Sequence, residues 1–173
     1  SFRVPSQLVG KQSKHGVIPS RLFPIFRDRD ELPSSARLGE AIREALEQSS
    51  HLIVICSPEA AKSEWVNQEI KDFKAMGRER RILYFIVSGE PYADEDPDSG
   101  VEDCFPQAAK YGVGPDGFYT KVREEPIAAD ARKCGDGERD ALLKIIAGLL
   151  GVGLDDLKRR ALQQRHRKLG LIT

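Results

Sequence analysis

Six residues, His51-Leu52-Ile53-Val54-Ile55-Cys56, restrict the possible folds of this chain more than any other stretch. After His51 the run is apolar and mostly β-branched, with no polar residue alternating through it. That pattern predicts a strand covered on both faces, the usual condition of a strand inside a parallel sheet. Parallel strands need crossover helices, and the flanking sequence supplies them. Ser57-Pro58-Glu59 offers a cap, a proline for the first helical position and an acid near the positive end of the helix dipole. The helix it opens carries Val66, Ile70 and Phe73 on its apolar stripe and stops near Gly77. Arg81 to Ser88 (RILYFIVS) predicts a second buried strand.

Upstream, Leu22 to Phe26 is a short apolar run in which Pro24 lacks an N–H, so it predicts a short or edge strand. Pro33-Ser34-Ser35 reads as a loop, and from Leu38 the positions Ile42, Ala45 and Leu46 keep helical spacing. Downstream lies a long irregular section. Asp136 then predicts the cap of a helix with the stripe Leu142, Ile145, Ile146 and Leu149, closed by Gly151, and a last helix starts near Leu154. The alternation predicts an α/β sheet with right-handed crossovers.

Composition narrows the function classes. The 173 residues suit one domain, and 27 basic residues balance 27 acidic ones, so the chain lacks the basic excess of a general nucleic-acid binder. No apolar run approaches the ~18 residues of a membrane span, and no signal peptide pattern opens the chain. Cys56, Cys104 and Cys134 form no CxxC pair and no metal spacing with His15, His51 or His166. That predicts reduced thiols, no structural zinc and a cytoplasmic setting. There is no GxxxxGK[ST] phosphate loop and no GxSxG elbow. Charge is unevenly spread: Glu90 to Asp103 holds seven acids and no base and reads as a solvated loop. Lys158 to Thr173 holds six bases and no acid, which reads first as a solvated basic helix end running into a linker and otherwise as a juxtamembrane or anionic-partner contact.

One constellation carries possible chemistry. Trp65 and Glu69 are four apart, so they share one helix face beside the stripe of Val66, Ile70 and Phe73. This places the chain's single tryptophan and a carboxylate at the border between core and solvent. On spacing alone, an ordinary surface glutamate beside a half-buried tryptophan is the better reading.

The run FPIFRDRDELPSSARLGEAIREALEQSSHLIVICSPEAAKSEWVNQEI (Phe23 to Ile70) resembles bacterial TIR (Toll/interleukin-1 receptor) domains, of the subgroup fused to repeat, NTPase or membrane modules. The similarity continues through RILYFIVSGEP and DALLKIIAGLLGVGLDDLKRR. It implies a flavodoxin-like parallel sheet with helices on both faces. Residues 1–153 would form the TIR domain and residues 154–173 a C-terminal basic helix or linker. Phe23–Phe26 would be the second strand, Arg27–Leu38 the BB loop and His51–Cys56 the third strand. TIR domains begin with a strand of the F-I-S-Y-S type and a first helix, and neither is found here. In a 2-1-3-4-5 sheet the first strand is central, so its absence would split the sheet between strands 2 and 3. The expectation is that further residues precede Ser1, or that another segment or chain fills the gap.

The resemblance also implies an activity: hydrolysis or cyclisation of NAD+ (or its phosphorylated form) at the nicotinamide–ribose bond, with NAD+ as substrate and no cofactor. Glu69 falls on the catalytic glutamate of the family's W-x-x-x-E pattern and Trp65 on its aromatic. Ser63 would line the pocket, with Phe26 and Arg27 at its mouth and Arg27 able to meet the pyrophosphate. Such domains act in bacterial defence against phage or in signalling, and they self-associate, the BB loop of one copy lying over its neighbour. The alternatives are a non-catalytic TIR scaffold that assembles with partners, whose mark would be loss of the glutamate, and a nucleotide sensor without turnover.

Overall fold

The computed structural model describes residues 2–27 and 38–170. They divide into two compact units, one of residues 38–141 and the other of residues 2–27 with 142–170.

The larger unit is built on a parallel sheet of β3 (Leu52–Cys56), β4 (Ile82–Ile86) and β7 (Ala128–Asp130), in that order. Leu52 pairs with Ile82 and Cys56 with Ile86; Tyr84 then pairs with Ala128 and Ile86 with Asp130. Three parallel strands in chain order match the last three positions of a 2-1-3-4-5 sheet, and the α/β class expected from the sequence is the one observed.

Alternation along the strands sends Val54, Cys56, Ile82, Tyr84 and Ile86 into one core, where they meet Leu46, Ile70, Phe73, Phe105, Ala108 and Ala109. Leu46 belongs to helix α1 (Leu38–Gln48), which forms where the helical spacing began. Its C-terminal end is held by Arg78, whose Nη1 donates to the carbonyls of Leu46, Glu47 and Ser49 at 3.3, 3.0 and 2.8 Å. A guanidinium there satisfies carbonyls that have no intrahelical partner and opposes the helix dipole.

Four sequence expectations need correcting in this frame. The β3 run is covered on one face only, since Ile53 and Ile55 remain 38% and 52% exposed. The core of this unit gathers on the face of Val54 and Cys56, and among the described residues no strand pairs with the outer edge of β3. Phe23–Phe26 is not a strand: Phe23, Ile25 and Phe26 are exposed, and Pro24 offers no N–H for a ladder. The helix that follows β3 is two helices, α2 (Pro58–Lys62) and α3 (Glu64–Ala75), parted at Ser63. The irregular section hides structure: a short helix α4 (Gln107–Lys110), an antiparallel hairpin of β5 (Tyr111–Val113) and β6 (Tyr119–Arg123), and strand β7 itself.

The acidic stretch Glu90–Asp103 lies mostly at the surface, as its charge predicts. It is nevertheless tied down, because Nζ of the buried Lys110 reaches Asp94 at 2.5 Å and Asp103 at 2.6 Å. Burial pulls the Lys110 ammonium down, but hydrogen bonds from it to Asp103 and Asp94 outweigh this and hold it above its usual value. The Lys110 hydrogen bond likewise lowers the Asp94 carboxyl.

In the smaller unit a hairpin of β1 (Gln12–Ser13) and β2 (Gly16–Val17) accompanies a core of Val4, Leu8, Ile18, Ile146, Ala147, Leu150 and Leu157. The last four come from α5 (Glu138–Leu150) and α6 (Leu154–Gly170). The buried stripe of α5 runs through Ala141, Ile145, Ile146 and Leu150 and leaves Leu142 52% exposed, a rotation from the stripe read in sequence. Gly151 closes that helix as expected, at φ +66, where a side chain would also meet Lys14 and His15. Asp136 does not stand next to the first turn. The helix starts at Glu138, the Ala141 N–H donates to the Gly137 carbonyl, and the Asp136 carboxylate accepts the N–H of Asp130 at 3.0 Å.

Replacing Phe73, fully buried against the sheet, by alanine should cost about 3–5 kcal/mol of unfolding free energy in urea titration. Lys110→Ala should cost about 2 kcal/mol at neutral pH, chiefly by leaving Asp103, at 11% side-chain exposure, without its cation and with only the Phe105 N–H as donor among the described residues. The lowered Asp94 carboxyl contributes stability above its ordinary value of ~3.9 and loses it as pH falls through the lower folded value. The gap between wild type and Lys110→Ala should therefore narrow when the titration is repeated at about pH 3.

Candidate active site

Cys56 ends β3, and the chain then turns into α2 through Ser57, whose Oγ accepts the Ala60 N–H at 3.2 Å with Pro58 in the first turn. The cap read in sequence is thus formed, and it lowers the Glu59 carboxyl through hydrogen bonds from the Glu59 backbone N–H and from Ser57. Six residues after Ser57, Ser63 serves two helices at once. Its N–H closes α2 on the Ala60 carbonyl at 3.2 Å, while its Oγ accepts the Val66 N–H at 3.3 Å and starts α3. The short α2 and the break at Ser63 set where α3 begins, at the carboxyl end of the sheet.

From Ser63, helical geometry fixes the rest. Ile70 and Phe73 are wholly buried and press α3 onto the sheet, with Val66 half-buried beside them. Trp65 and Glu69 fall on the flank one turn apart. Glu69 is half-buried, at the border the spacing predicted. Trp65 stands further out, 66% exposed, in the first turn of the helix, which begins only one residue before it. Trp65 and Glu69 thus share one flank, whereas Ser63, at the start of the same helix, falls on the side of Asn67 four residues on. Phe26 and Arg27 are exposed residues in the other unit, and the BB loop expected between Arg27 and Leu38 lies outside the described residues apart from its two ends.

The loops at the carboxyl ends of β4 and β7 are braced by a residue that sequence reading missed. Arg132 holds Asp130 through two hydrogen bonds, Nε at 2.9 Å and Nη2 at 2.7 Å, and its Nη1 donates to the Gly89 carbonyl at 2.6 Å and to Glu90 at 2.5 Å. These bonds, led by Asp130, raise the Arg132 pKa further. Gly89 sits at φ +80 with Pro58 and Cys104 so close that a β-carbon would come within 3.0 Å of both. No local pattern announces this brace, since Gly89 is brought to Asp130 and Arg132 only by the pairing of β4 with β7. Asn67 was missed too, although it lies inside the motif between Trp65 and Glu69.

A concavity of about 420 Å³ opens at the other end of α3, lined by Lys74, Gly77, Gly112, Thr120 and Glu124 among others, and includes none of Ser63, Trp65 or Glu69. Its lysine is occupied, since Nζ donates to the Tyr111 carbonyl at 2.8 Å and pairs with Glu124 at 2.5 Å. Parallel sheets bind ligands beyond the carboxyl ends of their strands, which favours the Trp65–Glu69 end. Among the described residues no group of three or more His, Cys, Asp or Glu could hold a metal ion, and no helix is long and apolar enough to cross a membrane. What the arrangement can supply is a carboxylate beside an exposed aromatic plane, suited to a cationic, partly aromatic ligand.

A family model described as the TIR-like domain of Thoeris protein ThsB matches residues 9–90. The chain is 31% identical over 152 residues to a protein from Actinoplanes sp. named NAD(+) hydrolase ApTIR, an alignment that covers 86% of this chain and 21% of that protein. The chain thus spans about a fifth of the length of that relative. No solved structure matches it.

The buried thiols offer no competing nucleophile. Burial pushes Cys56 up to about 12 and Cys104 up to about 11, whereas Cys134 is exposed. Titration of the folded protein with a thiol reagent at pH 8 should therefore label Cys134 rapidly, and the other two only after denaturation.

Proposed function

We propose that this chain, which carries a bacterial TIR domain, cleaves the nicotinamide–ribose bond of NAD+ with Glu69 as the catalytic carboxylate. The observation that carries the proposal is the half-buried Glu69 one helical turn beyond the exposed Trp65, on α3, which starts at the carboxyl end of the sheet. The relative named as an NAD(+) hydrolase supports the same substrate.

The chemistry asks for few groups. Nicotinamide departs as a neutral ring from a cationic substrate, so the leaving group needs no proton. The ribose left behind develops oxocarbenium character, and a carboxylate held next to it stabilises that charge in the transition state. Glu69 takes this role and accepts hydrogen bonds from the ribose hydroxyls, while Trp65 offers a flat face to the nicotinamide or the sugar. A site that rests on one helix flank is open to solvent, and assembly of several copies would enclose it. Self-association is therefore part of the proposed mechanism, as is a role in bacterial defence or signalling inside the cytoplasm.

Nicotinamide release, followed by chromatography at high protein concentration, tests the reading. Glu69→Gln removes the charge but keeps the shape and should lower release about 100-fold or more, with the circular dichroism of the folded protein unchanged. Release at the wild-type rate from Glu69→Gln would show that Glu69 is not the catalytic group. No release from the assembled wild-type protein would turn the assignment towards a TIR scaffold.

A further inference from the structure

Asn67 lies two residues after Trp65 and two before Glu69, which puts it on the far side of α3 from both. Its side-chain amide is almost completely used. The two N–H groups of Nδ2 donate to the carbonyls of Ser63 at 2.9 Å and Ala61 at 3.2 Å. Its Oδ1 accepts the backbone N–H of Ala108 at 2.9 Å.

Two of these partners, the Ala61 carbonyl and the Ala108 N–H, are helix-end groups with no backbone partner of their own. The Ala61 carbonyl is in the last turn of α2, and the break at Ser63 deprives it of its usual i+4 donor. The Ser63 carbonyl begins α3, where the Asn67 backbone N–H also reaches it at 3.1 Å. Ala108 is the second residue of α4, whose capping position is Pro106 and supplies no side-chain acceptor. Ala108 is wholly buried, so water cannot substitute, and a buried N–H without a partner is costly. One side chain therefore ends α2, starts α3 and caps α4, fixing the turn of helix from which Trp65 and Glu69 project.

We infer that Asn67 is a positioning residue for Glu69 and Trp65, holding their helix in register by joining three helix ends through one amide. The inference rests on the reading of Glu69 as the catalytic group for its activity consequence, and on the geometry alone for its structural one. No other side chain does the same. Aspartate keeps the acceptor for Ala108 but sets a charge against two carbonyls, alanine loses all three bonds, and glutamine is one methylene too long.

The test uses two variants of the chain, Asn67→Ala and the milder Asn67→Asp, with two readouts taken well below each unfolding midpoint. In steady-state nicotinamide release, kcat per folded molecule should fall about 10- to 100-fold while KM stays within about 3-fold, because a small misplacement of the carboxylate acts on the transition state. Acrylamide quenching of Trp65, the single tryptophan, should change in the folded variants without substrate present. A variant that is less stable but otherwise intact would show neither effect. Wild-type quenching in a folded variant would overturn the inference, as would a wild-type kcat in Asn67→Ala when Glu69→Gln is inactive. Should Glu69→Gln keep full activity, the proposed function fails and Trp65 quenching decides the role of Asn67 by itself. If Asn67→Ala does not fold, Asn67→Asp decides by the same criteria.

Discussion

Burial of Ile70 and Phe73 against one face of a three-stranded parallel sheet is the constraint from which the candidate site follows. Both side chains are wholly removed from water, and the sheet face beneath them carries Val54, Cys56, Tyr84 and Ile86. Two such side chains, worth about 1.5–3 kcal/mol each in transfer from water, leave α3 one orientation about its axis. Once the axis and rotation are set, Glu69 must sit at the rim of the buried stripe and Trp65 one turn nearer the carboxyl end of the sheet. A half-buried carboxylate at that place is thus a by-product of packing, and any use of it in catalysis draws on rigidity the core has already supplied.

Rotation about the axis is not enough; the helix must also be stopped from sliding along it. Polar groups do this. Ser63 parts α2 from α3, Asn67 links both to α4, and Arg78 fastens the end of α1 beside them. The same division of labour recurs at the sheet's carboxyl end, where Arg132 ties the residues after β4 to the end of β7, and at Lys110, which pulls the acidic stretch down through Asp94 and Asp103. Apolar burial gives the large, non-directional term. Hydrogen bonds to groups that would otherwise be buried alone choose among the arrangements burial would permit.

Much of this was legible in the sequence. The runs at Leu52–Cys56 and Ile82–Ile86 are strands because short unbroken runs rich in β-branched or aromatic residues suit a buried strand, and the Ser57-Pro58 signal is a cap because its oxygen and fixed φ act locally. The stripe of Val66, Ile70 and Phe73 gave the buried face of α3 correctly, and Leu38–Gln48 is helical as its spacing required. Failures came where a decision depended on distant partners. Phe23–Phe26 is apolar but is not a strand. Ala128–Asp130 has no strand pattern of its own, yet β4 makes it one by pairing with it. Leu142 fits a helical stripe but points out, since α5 turns Ala141, Ile146 and Leu150 inward instead.

The sequence by itself determined the local terms: which segments are helix or strand, which face of α3 is apolar, and that Trp65 and Glu69 share its flank. These follow from periodicity and capping, which act within about four residues. Only the tertiary structure decided that Asn67 completes three helix ends, that Arg132 braces two strands, and that Trp65 stands clear of the core. Those outcomes depend on bonds between Asn67 and Ala108, 41 residues apart, and between Arg132 and Gly89, 43 apart. No short-range pattern encodes them, because each polar group takes as its partner whichever unsatisfied group the packed core has brought within hydrogen-bond reach.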